Sequence, residues 1–233
     1  MRSRFQSVAR SSAAVAAVAA FLLLTPSKAS ALQILGFSQS ASTNTIVGVN
    51  DGLGTTTISG DGVAVSIGNI DAALATPISA FLTLDATSTD AAVPVGLNGV
   101  QQHYSGSFSI TANADGTGTN YLSGTFVDVL LGAGNFILLG ATTPPAGDVT
   151  FTSSVIALAD LGLERALGFS FSNVTPSVGI VNGSLRSFNA SVSGTFSANI
   201  PSQDTTVPEP ASMLLLGTGL VGLASRLRRS KKA

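Results

Sequence analysis

The chain has 233 residues with neither cysteine nor tryptophan. That is room for one domain, and it excludes a disulfide framework, a cysteine–zinc site and a thiol nucleophile. The formal net charge of −1 hides a segregation: between residues 32 and 206 only Arg165 and Arg186 stand against eleven acids, a balance of −9. A region so acidic and free of lysine repels nucleic acid and anionic lipid, so nucleic acid is excluded as a partner.

The N-terminus reads as a secretory signal. Arg2, Arg4 and Arg10 form a positive start, and residues 13–24 form a twelve-residue apolar stretch. Ala29-Ser30-Ala31 then supplies the small residues at −3 and −1, so signal peptidase is expected to cut after Ala31. The apolar stretch is short of the roughly 20 residues that a spanning helix needs.

The exported middle follows. Serine and threonine make up 43 of the 175 residues from 32 to 206, and many alternate with apolar residues. The clearest case is 187–200, where Phe188, Ala190, Val192, Gly194, Phe196, Ala198 and Ile200 share one face. Period two over that length is a half-buried strand or strand pair. Residues 104–113 repeat it, with Tyr104, Gly106, Phe108, Ile110 and Ala112 inward. Shorter runs are Val63-Val65-Ile67, Ile78-Ala80-Leu82-Leu84, Val149-Phe151-Val155 and Phe169-Phe171.

A short motif recurs as Ser105-Gly106-Ser107-Phe108, Ser123-Gly124-Thr125-Phe126 and Ser193-Gly194-Thr195-Phe196. Its glycine and phenylalanine are two apart and share a face. The glycine leaves room for a ring from the next strand, which makes the motif a packing device rather than a recognition element. Tight turns are expected at Asn50-Asp51-Gly52, Gly60-Asp61-Gly62, Asn98-Gly99, Asp115-Gly116, Pro144-Pro145 and Asn182-Gly183. Long loops are expected at 91–101 and 141–148, and the one helical hint lies at 156–167. These signals predict an all-β fold, an antiparallel β-sandwich of about ten strands.

Chemistry-bearing residues are few. His103 is the single histidine and falls on the polar face of its strand. Glu164 is the single glutamate before the tail, and its neighbour Arg165 predicts a solvated ion pair. No Gly-x-Ser-x-Gly elbow occurs, and no pair of carboxylates is singled out for glycoside hydrolysis. Asp51, Asp61 and Asp115 lie in glycine-rich turns where calcium could find oxygens, but the spacing of a calcium loop is missing. No catalytic, cofactor or metal residue is therefore assigned.

The C-terminus has three parts in order. Val207-Pro208-Glu209-Pro210 is rigid and extended, because each proline fixes its own φ and restricts the residue before it. Residues 211–224 carry no charge. At about 1.5 Å each they span about 21 Å as a helix, short of a bilayer core near 30 Å. Arg226, Arg228, Arg229, Lys231 and Lys232 close the chain and should stay cytoplasmic.

Pro-Glu-Pro, a short apolar helix and an arginine-rich end resemble the PEP-CTERM sorting signal, over residues 207–233 only. The resemblance implies an exosortase that recognises Pro208, Glu209 and Pro210, with Arg226, Arg228 and Arg229 as the stop-transfer end. It also implies a Gram-negative host that makes exopolysaccharide. The expected organisation is a signal peptide at 1–31, a β-sandwich domain at 32–203, a linker at 204–206 and the sorting tail with its short transmembrane helix at 207–233. The expected protein crosses the inner membrane, is held there transiently, and ends at the cell surface or outside it. Its expected role is non-catalytic, in the envelope or extracellular matrix, with exopolysaccharide as a further partner. The alternatives are a carbohydrate- or calcium-binding surface module and, third, a secreted hydrolase.

Overall fold

Alternation of small polar and apolar residues builds the walls. In the computed structural model, which describes residues 31–41, 46–143 and 148–199, the strongest alternating run becomes one strand, Phe188–Asn199. Its even-numbered residues are buried from Phe188 to Ala198, as the period demands. The chain divides into two compact units, 1–200 and 201–233, and the described residues all belong to the first.

The strands in chain order are β1 (Ala31–Gln39), β2 (Ile46–Asn50), β3 (Thr56–Ile70), β4 (Ile78–Ser88), β5 (Val93–Val95), β6 (Gly99–Thr111) and β7 (Asn120–Ala133). They continue with β8 (Phe136–Thr142), β9 (Asp148–Val149), β10 (Arg165–Thr175), β11 (Ile180–Val181), β12 (Ser184–Leu185) and β13 (Phe188–Asn199). Eight of them close a ring in the order β1, β3, β4, β6, β7, β8, β10, β13 and back to β1, every pair antiparallel. Ring order is chain order, so the fold is an up-and-down eight-stranded barrel.

The expected sandwich is thus corrected to a barrel. Both architectures use the same alternation. The deciding contact is the pairing of the first strand with the last, Ala31↔Asn199 through Ser38↔Ser193, which removes the two sheet edges a sandwich would keep. β2 prolongs the stave begun by β1, pairing with β3 on one side and β13 on the other.

The barrel has two poles. At the first lie Ala31 and Asn199, the turn between β6 and β7, and the start of β10. At the second lie the β2–β3, β5–β6 and β7–β8 turns and the start of β13. The segment Ile180–Leu185, a β11–β12 hairpin, lies at this second pole, where Asn50 Nδ2 donates to Val181 O and Leu185 O at 3.0 and 2.9 Å.

Phenylalanines fill the interior. Phe108 stacks on Phe196 at 4.8 Å, and Phe169 meets both edge-on at 5.7 and 5.6 Å. Phe37, Phe126, Phe151 and Phe171 pack around these three. The recurring motif explains how so many rings fit. Its first two copies pair with each other, so that Gly106 opposes Phe126 and Phe108 opposes Gly124. The third places Gly194 opposite Phe37, and a side chain on Gly194 would run into that ring. Gly124 makes room in addition for the backbone of Thr150, and Gly106 for that of Asp85 and Ala86.

Four turn expectations hold. Asp51-Gly52, Asn98, Asp115-Gly116 and Asn182-Gly183 sit in connections, and Asn182 and Gly183 both have positive φ, the requirement of a type I′ hairpin. Gly60-Asp61-Gly62 is not a turn. It is a bulge inside β3, whose two halves pair with the same partner, β4. The expected loop at 91–101 is a hairpin, Val93↔Gln101 and Val95↔Gly99. The helical hint at 156–167 yields only a 3-10 turn at Leu158–Asp160, and β10 begins at Arg165. The Pro144-Pro145 turn lies outside the described residues.

Candidate functional site

The most developed polar constellation sits inside the second pole. Gln102 is inward-facing on β6 and buried, two residues before the alternating run that starts at Tyr104. Its Nε2 donates to Ser88 Oγ at 3.0 Å, Thr56 Oγ1 at 3.1 Å and Asp90 O at 2.7 Å. Its Oε1 accepts from Leu185 N at 2.9 Å. Thr56 Oγ1 and Tyr104 Oη share a further bond of 2.8 Å. One amide thus ties β3, β4, β6 and the β11–β12 hairpin together.

The chemistry of this cluster is that of a latch. Every member is neutral, and burial pushes the Tyr104 hydroxyl up to about 12, so it does not ionise near neutrality. Buried and fully partnered, these groups rigidify the pole. Asn50 adds a second tie beside it: its N–H donates to Ser187 Oγ at 2.9 Å. Sequence reading missed Gln102, although a polar residue on the inward register of β6 was the available signal.

The acidic turns are consumed locally. Asp51 Oδ1 accepts from Leu53 N at 2.7 Å and Thr55 N at 3.0 Å, and the Leu53 bond foremost holds its carboxyl below the usual range. Asp115 Oδ1 accepts from Thr117 Oγ1 at 2.7 Å and Thr117 N at 3.0 Å, and the hydroxyl bond foremost lowers it likewise. These aspartates stand at opposite poles, and Asp61 lies in the β3 bulge, so the three are not brought together. Among the described residues no group of three His, Cys, Asp or Glu is placed to hold a metal ion.

His103 is exposed on the outer wall, in register with Val129. The expected Glu164–Arg165 pair is replaced by other contacts. Arg165 lies over the Phe151 ring at 5.7 Å and donates to Phe151 O at 3.3 Å, while Glu164 Oε2 accepts from Asn199 Nδ2 at 3.3 Å. Arg165 opens β10 and lies over Phe151, whereas Glu164 precedes the strand and is exposed.

The sorting residues fall almost entirely beyond these elements. Ala29, Pro208, Glu209, Pro210, Arg226, Arg228 and Arg229 lie outside the described residues. Ala31 is the exception, exposed at the start of β1 and in register with Asn199. The chain thus enters and leaves the barrel at adjacent positions of the first pole. Among the described residues no helix is long and apolar enough to cross a membrane.

No curated protein and no solved structure matches the chain. Residues 206–229 match the family of the PEP-CTERM protein-sorting motif. The carboxyl-terminal tail is therefore a PEP-CTERM sorting signal, which marks the chain as an exported exosortase substrate of a Gram-negative envelope.

Proposed function

We propose that the barrel is a non-catalytic component of the cell envelope or extracellular matrix, delivered by its tail. The observation that carries this reading is the pairing of a sorting tail with a barrel whose centre is occupied by its own phenylalanine rings. Small barrels that take a ligand keep their interior for it. Here that volume is core, and the polar groups inside the second pole are engaged with one another. Signal peptidase would release the N-terminus after Ala31, and the short apolar tail would hold the protein briefly in the inner membrane. Exopolysaccharide is the envelope polymer that a serine- and threonine-rich wall, free of lysine, would sit beside.

The test uses a host that carries an exosortase. Replacing Pro208-Glu209-Pro210 by alanines should make a full-length, membrane-bound form accumulate, while the parent is processed and found at the surface or in the medium. Equal processing of both would remove the exosortase step. A polysaccharide hydrolase activity of the purified parent, lost on changing any wall residue, would replace the structural role with a catalytic one.

A further inference from the structure

We propose that the outer wall formed by β5, β6, β7 and β8 at the second pole is a self-association surface, occupied by the same surface of a second copy of this chain. Strand register assembles it. Val93, Gln101, Leu131 and Leu138 lie in one transverse row across the four strands, and Val95, Gly99, Ala133 and Phe136 in the next. Directly opposed residues share a face, and this face is outward: Leu131 is 47% exposed and Phe136 44%. Gln101 is the one polar side chain in the two rows.

The departure from the rest of the exported region is abrupt. Serine and threonine supply 43 of the residues from 32 to 206, yet none occurs at 90–104 or at 126–141. Those two stretches are the ones that lie side by side here. A wall on which outward positions could be hydroxylic has been left largely apolar on four adjacent strands at once.

Shape and charge select the occupant. Leu97 stands fully exposed on the β5–β6 turn, beside a groove lined by Val95, Leu131 and Phe136. A protruding apolar side chain at the rim of an apolar groove can be complementary to itself under a two-fold rotation, each Leu97 entering the other copy's groove. Six contiguous apolar side chains, Val93, Val95, Leu97, Leu131, Phe136 and Leu138, each stand at least 43% exposed here, and a contiguous exposed apolar patch of this kind marks an association surface. The exported region has a balance of −9, so two copies repel each other except across an uncharged face. No arginine or lysine occurs within 90–141, as an anionic lipid surface would require. The chain enters and leaves at the first pole, so a two-fold axis along the barrel lets both copies keep their exits on the same side.

The absence of cysteine makes the test direct. Single cysteines are placed in the full exported chain at Val95, Leu97, Leu131, Phe136 and Leu138, with Ser193→Cys on the far wall as control. A short bis-maleimide is then added to cells. At least one of the five should give a covalent dimer on a denaturing gel, at least tenfold above Ser193→Cys. Adding Leu97→Asp to the best cross-linking variant should lower that dimer at least tenfold. Outward substitutions leave the core untouched, and the melting temperature of each variant verifies folding. Cross-linking no better than the control at all five positions overturns the proposal. So does capture, by a photoreactive probe on the same cysteines, of lipid or of a different protein in place of a second copy.

Discussion

Two walls of one barrel obey the same rule on the inside and opposite rules on the outside. On β10 and β13 the outward residues are mainly serine, threonine, asparagine and glycine: Ser170 and Ser172 on one, Asn189, Ser191, Ser193, Thr195 and Ser197 on the other. On the second-pole half of β7 and β8 they are Val127, Leu131, Phe136 and Leu138, and hydroxyls return only toward the first pole, at Ser123, Thr125 and Thr142. Inside, both walls contribute phenylalanine, with Phe169 and Phe196 from the first and Phe126 from the second. Inward positions answer to packing, which is common to the whole ring, whereas outward positions answer only to what lies beyond the barrel. A difference confined to outward positions therefore points to surroundings rather than to folding.

The sharpest way to break this comparison is to attack the shared interior. Phe196→Ala and Phe126→Ala should each lower stability by about 3–5 kcal/mol, whichever wall they come from. Denaturant titration of both variants measures this. A cost confined to one wall would mean that the two are not equivalent inside. Gly194→Val should cost about 1–3 kcal/mol, because its side chain would overlap the Phe37 ring. Pairing it with Phe37→Ala should recover part of that loss, as a double-mutant cycle would show.

The latch at the second pole gives the next effects. Gln102→Leu leaves Leu185 N without its acceptor and should cost about 1–3 kcal/mol, with faster amide exchange first in the β11–β12 hairpin. Tyr104 supplies a pH dependence. Its folded pKa of about 12 lies above the ordinary tyrosine value of 10.0, so the folded state holds the proton more tightly. Its stability contribution is complete below pH 10 and is lost as pH rises from 10 to about 12. Tyr104→Phe should flatten the stability curve in that window. An unchanged slope in alkaline denaturation would place the titrating group elsewhere.

The smallest effects are expected outside. Leu131→Ser and Ser193→Leu should each change stability by no more than about 0.5 kcal/mol, since neither side chain reaches the core. A large loss from Leu131→Ser in dilute protein would show that the apolar wall serves folding itself, and the contrast between the walls would lose its meaning.

Much of this molecule could be read in the linear chain, because the relevant physics is local. Period-two alternation marks β13 and β6 as strands whatever they pair with, and Asn182-Gly183 carries its own turn geometry. The sorting tail is legible for the same reason: its motif, apolar run and basic end are contiguous. The repeated Ser-Gly-x-Phe motif announced a packing device, and its glycines do face rings or backbone of neighbouring strands.

Tertiary structure decided what depends on distant partners. Barrel rather than sandwich rests on Ala31 to Ser38 meeting Ser193 to Asn199 across the length of the domain, a pairing with no local signature. The bulge at Gly60-Asp61-Gly62 looked like a turn because both need glycine, and only the continued pairing with β4 tells them apart. Arg165 left Glu164 for Phe151, a residue fourteen positions away that folding alone brings to it. The apolar outer wall arises when two stretches without serine or threonine fall into register, and register is set by the closed ring rather than by either stretch.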